Sequence, residues 1–118
     1  MKIRLRLLLP AVAVAAAVVC GSARADGPKT SLVIRNQQFI PPVVNIPAQT
    51  KIEIVVRNED RMPAEFESYD LSREIVVPGL SAVSVYVGPL PAGRYRFFND
   101  FNHAASGWVV SVPDPKSR

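Results

Sequence analysis

The chain has 118 residues, with 14 Lys and Arg against 10 Asp and Glu and a formal net charge of +4. That excess belongs to its start: Lys2, Arg4, Arg6 and Arg24 fall within 1–25, and from Asp26 onward ten basic side chains face ten acidic ones. A near-neutral stretch with one histidine and no cysteine excludes a basic nucleic-acid footprint, disulfides, thiolate metal sites and cysteine nucleophiles.

The opening "MKIRLRLLL" sets Lys2, Arg4 and Arg6 ahead of an apolar run that continues through "AVAVAAAVVC". "SARAD" then offers Ala23 and Ala25 at the small-residue positions of a cleavage site. A charged start, a short apolar segment and an A-x-A end give 1–25 the pattern of a secretory signal peptide. The run is shorter than the roughly 20 residues that span a bilayer, so no permanent anchor is expected. Cys20 has a second reading as a lipid-attachment cysteine, although Val19 before it is larger than lipoprotein processing favours. The expectation is one domain at 26–118, periplasmic and not itself membrane-spanning.

After a short polar lead, "SLVIRNQQF" opens a strand-rich pattern. "TKIEIVVRN" alternates, with Ile52, Ile54 and Val56 on one face and Glu53, Val55 and Arg57 on the other, the period of a half-buried strand. "NEDRMPAEFESYD" follows, carrying five carboxylates from Glu59 to Asp70 with only Arg61 among them. "REIVVPG", "SAVSVYVG", "GRYRFF" and "GWVVSV" are rich in Val, Ile and aromatics. Pro41, Pro42, Pro47, Pro63, Pro78, Pro89 and Pro91 are read as lying between strands, where a missing amide donor breaks no ladder bond. No segment of helical length shows a capped helical period. The prediction is an all-β domain, an antiparallel sandwich or barrel of about seven to eight short strands.

Catalysis finds little material. One histidine, no cysteine and no Ser–His–acid spacing leave nucleophilic chemistry without its parts. Metal binding finds more. In an extended segment Glu65 and Glu67 share a face, with Phe66 pointing the other way into the core. Met62 offers a thioether just upstream, a soft ligand suited to copper. "FFNDFNHAASGW" holds His103, with Asp100 three residues before it in what reads as one loop. Each has a plainer role as well. An E-x-E is commonly a solvated face, a lone loop histidine commonly binds nothing, and a methionine commonly fills a gap. Trp108 reads as a packing residue opening the last strand, and Phe97, Phe98 and Phe101 as the wall of a loop closing over the core.

Two stretches resemble the cupredoxin family. "FIPPVVNIPAQTKIEIVVRNED" is similar to its F-x-P…V-x-V-P-A-G opening before a long strand, and "GRYRFFNDFNHAASGWVVSV" to its Y-x-F-x-C…H…G-M close. The likeness covers nearly all of 30–112. It implies a Greek-key β-sandwich that gathers ligands at one end, bringing 62–67 beside 99–107. His103 matches the histidine of the closing loop. The family's cysteine position is read at Phe98, its methionine at Trp108 and its earlier histidine at about Glu65. Without the thiolate, a type-1 electron-transfer role is not expected.

A narrower resemblance runs through "EFESYDLSREIVVPGLSAVSVYVGPLPAGRYRFFNDFNHAASGWVVSV", which is similar to the small periplasmic cupredoxin-like proteins that accompany bacterial iron permeases. Glu65, Phe66, Glu67, Ser68, Asp70, Leu71 and His103 sit on that pattern. The resemblance implies an accessory of ferrous iron uptake, its partners a membrane iron permease and other periplasmic uptake components. It also implies a divalent copper or iron ion held outside type-1 geometry by Glu65, Glu67 and His103, with Met62 or Asp100 completing the shell. Carboxylates with one imidazole suit Fe(II), Mn(II) or tetragonal Cu(II) better than Cu(I). The alternatives are a metal-free scaffold docking to a permease or other envelope partner through its acidic 59–70 stretch, and an oxidase converting Fe(II) to Fe(III) at bound copper.

Overall fold

The computed structural model describes residues 27–115 together with Lys2, so the expected signal peptide, Cys20 included, lies otherwise outside the described residues. Nine strands follow in order: β1 (Lys29–Arg35), β2 (Gln38–Ile40), β3 (Val43–Pro47), β4 (Ile52–Asn58), β5 (Ala64–Ser68), β6 (Arg73–Val77), β7 (Ala82–Val87), β8 (Gly93–Asn99) and β9 (Asn102–Val112). They form a four-stranded sheet, β2-β1-β4-β7, and a five-stranded sheet, β3-β9-β8-β5-β6. Among the described residues there is no helix, and none long and apolar enough to cross a membrane.

The all-β sandwich expected from the sequence is present, with nine strands where seven to eight were expected and with further differences of detail. The run "SLVIRNQQF" is two strands, because Asn36 and Gln37 both take positive φ (50° and 60°) and turn β1 back on β2. Two left-handed residues in a two-residue loop match the right-handed twist of the strands they join. The sandwich is not wholly antiparallel: β1 pairs with β4, and β3 with β9, in parallel. Pro47 ends β3 instead of lying between strands. It is tolerated there because β3 is an edge strand hydrogen-bonded to β9 alone.

Alternation builds the core. Ile52, Ile54 and Val56 of β4 are all buried, as are Leu32 and Ile34 of β1 beside them. Phe66 of β5 and Phe97 of β8, from the facing sheet, stack at 4.9 Å, and Phe39 of β2, in the same sheet as β1 and β4, meets Phe97 edge-on at 4.9 Å. Burying each such ring is worth roughly 1.5–3 kcal/mol against exposure. The close approach that lets β9 lie over this cluster depends on Gly107. A Cβ there would fall 2.4 Å from both the Phe97 ring and the Pro42 carbonyl.

β9 is also longer than "GWVVSV". It begins at Asn102, so "FFNDFNHAASGW" is the end of β8, a tight turn and the first half of β9. His103 therefore sits on a strand, near a register shift at Phe98/Asn99.

Candidate metal centre

β5 positions the first two candidate ligands. Phe66 faces inward, which turns Glu65 and Glu67 to the outer face of the five-stranded sheet, as period two requires. The strand is pinned at both ends. The Glu65 N–H donates to the Asn99 side-chain oxygen at 2.9 Å, and the Ser68 hydroxyl donates to the Arg96 carbonyl at 2.6 Å. Despite facing away from the Phe66 core, Glu65 is only 4% exposed.

The β8–β9 turn brings the third. One oxygen each from Glu65, Glu67 and Asp100 lie within 4.8 Å of one another. His103 stands one step out, its Nε2 2.9 Å from Asp100 Oδ1, and its ring remains largely exposed. Met62 is 63% exposed and borders a small cavity with Pro63, Asn99 and Phe101. Glu65, Glu67 and Asp100 thus converge, and His103 touches them through Asp100.

Two residues join the site that sequence reasoning did not single out. Glu74 of β6 is the cross-strand partner of Glu67, and its carboxyl acts on that of Glu65 to favour the protonated form. The alternation of "REIVV" against "AEFES" was the available signal. The second is Asn99, buried, whose side-chain oxygen accepts from the N–H groups of both Glu65 and Phe101. The Y-x-F-x-C spacing, counted from Tyr95, ends on Asn99 rather than on Phe98. Phe98 instead turns its ring outward toward Tyr69 and His103, 5.2 Å from each.

Crowding raises two of these carboxyls, Glu65 and Glu67. Burial first, then the Glu74 hydrogen bond and the charges of Glu74, Asp100 and Glu67, push Glu65 up to about 7. Glu67 is also raised, by burial and by Asp100 and Glu74, against opposing pulls from its hydrogen bond to Glu65 and from His103. Glu65 Oε1 and Glu67 Oε2 are buried and accept no hydrogen bond. Buried carboxylate oxygens without donors are unfavourable unless a proton or a cation satisfies them.

The other acids between 59 and 70 are differently occupied. Glu59 pairs with Arg35 at 2.8 Å, Asp60 accepts from the backbone N–H groups of Asn36 and Gln37, and Asp70 accepts from the Arg96 N–H. They brace turns and strand ends, so the acidity of this stretch is not one continuous free surface.

The chain belongs to the cupredoxin-like domain family, whose model matches residues 8–110. It is 34% identical over 83 residues to an uncharacterized protein of Rickettsia prowazekii (strain Madrid E), a match covering 70% of this chain and just 66% of the relative's length. Among solved structures it is similar to amicyanin from Paracoccus versutus, at 17% identity and a TM-score of 0.58 over 78% of this chain and 87% of that one. The metal-binding domain of a Cu(I)-exporting P-type ATPase of Streptococcus pneumoniae aligns at 13% identity and a TM-score of 0.63, over 74% and 88%. A purple cupredoxin from Nitrosopumilus maritimus aligns at 16% and 0.55, over 70% and 99%. Likeness at these identities establishes the fold.

Copper is the metal this fold suggests, and the residues fit it only in part. No described residue supplies the thiolate that defines a type-1 centre, so such a centre does not fit. The converging donors are carboxylate oxygens, and one buried oxygen each of Glu65 and Glu67 has no hydrogen-bond partner. That chemistry fits a hard divalent ion or Cu(II).

Proposed function

We propose that this protein is a metal-binding accessory of ferrous iron uptake, holding a divalent copper or iron ion at a non-blue site. The observation that carries the metal reading is the convergence of Glu65, Glu67 and Asp100 with two buried carboxylate oxygens lacking donors. Glu65 and Glu67 would neutralise the ion, Asp100 would bridge it toward His103, and Glu74 would act from behind through Glu65. When bound, the ion supplies a cargo or redox centre; the chain's own residues set its hardness and its access to water. Few protein ligands leave room for water, which suits exchange more than permanent retention.

The iron-uptake part of the proposal rests on the pattern around Glu65, Phe66, Glu67, Ser68, Asp70, Leu71 and His103. It names a membrane iron permease and its periplasmic companions as partners, and the periplasm as the place. The scaffold alternative draws less support, because Glu59, Asp60 and Asp70 are engaged within the domain.

Calorimetric titration of Cu(II) and of Fe(II) under anaerobic conditions tests the metal reading, with Glu65→Gln and His103→Ala beside the wild type. One equivalent bound, lost in Glu65→Gln, is expected. Heats unchanged in both variants would refute it. Crosslinking in cells, followed by identification of the attached protein, tests the permease: capture of proteins unrelated to iron transport would remove that part and leave the metal site standing.

A further inference from the structure

The outer face of β8 and β9 carries a groove of about 400 Å³, lined by Tyr69, Asp70, Arg96, Phe98, His103 and Trp108. It adjoins the carboxylate cluster through His103 and contains none of Glu65, Glu67 or Asp100. Alternation sets Arg96 and Phe98 opposite in direction to the buried Phe97, and the β8–β9 register places Trp108 directly across from Arg96. The β5–β6 turn supplies Tyr69, whose ring lies 5.2 Å from that of Phe98. Three aromatic rings thus wall a space of the size that small-molecule sites occupy.

The charges in this groove are unevenly committed. Arg94 lies over the Trp108 ring at 4.3 Å and steadies the indole. Asp70 is engaged by the Arg96 backbone N–H at 2.8 Å, and His103 by Asp100 at 2.9 Å. The Arg96 guanidinium is exposed and forms no ion pair or side-chain hydrogen bond among the described residues. A free planar cation beside flat rings suits a ligand that is both flat and anionic, since a guanidinium takes a carboxylate in a two-point fork.

We propose that this groove binds a small aromatic carboxylate, its ring against Trp108 and Phe98 and its carboxylate on Arg96. The groove shares His103 with the edge of the metal site, but the contacts proposed here, Trp108, Phe98 and Arg96, include none of the cluster's carboxylates. Benzoate is the probe, added to the purified protein and followed by the fluorescence and indole N–H resonance of Trp108, the sole tryptophan. A saturable response is expected, weakened about tenfold or more in Arg96→Gln and partly kept in Arg96→Lys. Benzyl alcohol, without the charge, and cyclohexanecarboxylate, without the ring, should each bind at least about tenfold more weakly than benzoate. The response should survive in Glu65→Gln, which separates it from the metal reading. No saturable response, or one that Arg96→Gln leaves unchanged, would overturn the proposal, as would equal binding of benzyl alcohol.

Discussion

Asn99 holds Glu65 in place: its side-chain oxygen accepts the Glu65 N–H at 2.9 Å across 34 residues of sequence. The same oxygen accepts from Phe101 N at 3.1 Å, so one amide fixes both the buried carboxylate's strand and the turn that presents Asp100. Replacing Asn99 by Ala should leave the Glu65 N–H buried without an acceptor and cost about 1–3 kcal/mol. Chemical denaturation measures that directly. The same variant should weaken metal binding even where it remains folded, because Asp100 loses its support.

Without metal, the domain should lose stability as pH rises. Glu65 in the folded state titrates at about 7, above its ordinary value of 4.5, so between those values the folded chain holds a proton that the unfolded chain has released. Stability is then fully present below about 4.5, declines between 4.5 and about 7, and levels off above, with a slope of at most about 1.4 kcal/mol per pH unit for this one proton. Glu67, raised in the same sense, adds to the trend. Thermal melts from pH 4.5 to 8 should show the fall in wild type and flatten it in Glu65→Gln. A melting temperature that climbed across the same window would contradict the crowding argument.

Metal binding should run the other way with pH. An ion needs the carboxylates ionised, so affinity should rise as pH passes through the Glu65 value and level off above it. Dialysis equilibria at a series of pH values measure it, and an affinity independent of pH would mean that Glu65 is not a ligand.

Asp100 and His103 should separate by metal. Asp100 shares the oxygen cluster, whereas His103 reaches it only through Asp100. Asp100→Asn is therefore expected to weaken Mn(II) binding about tenfold or more, and His103→Ala to change it less than about threefold, with a larger effect on Cu(II), which favours imidazole. Neither substitution should unfold an otherwise intact domain, since both side chains are exposed. Equal losses for both metals in His103→Ala would place the imidazole in the site itself.

Gly107→Ala tests the fold instead. The added methyl would meet the Phe97 ring and the Pro42 carbonyl at 2.4 Å, and backbone on one side leaves little room to give. A loss of about 1–3 kcal/mol or more is expected in denaturant titration.

The sequence made the sandwich legible wherever one face of a strand is buried. Ile52, Ile54 and Val56 announce β4, and Phe66 between two glutamates announces β5. It hid what depends on turns and pairing. "SLVIRNQQF" reads as one run because left-handed φ at Asn36 and Gln37 leaves no apolar mark. Glu65 and Glu67 could be paired by spacing, and Asp100 by its nearness to His103. Glu74 carried only the signal of its alternation and Asn99 only that of its spacing from Tyr95; joining them to Glu65 needed the β5–β6 register and the placement of β8 beside β5. Burial of Glu65 was likewise invisible, since a glutamate on the outer face of a strand is ordinarily solvated.

The central claim is that the carboxylate cluster holds a divalent cation. Mn(II) electron paramagnetic resonance tests it most directly, because the aqueous ion gives a six-line signal that weakens when the ion is bound. Wild-type protein should remove one equivalent of that signal, and Glu65→Gln should restore it. A signal that grows in proportion to added Mn(II), identical in wild type and variant, would contradict the account.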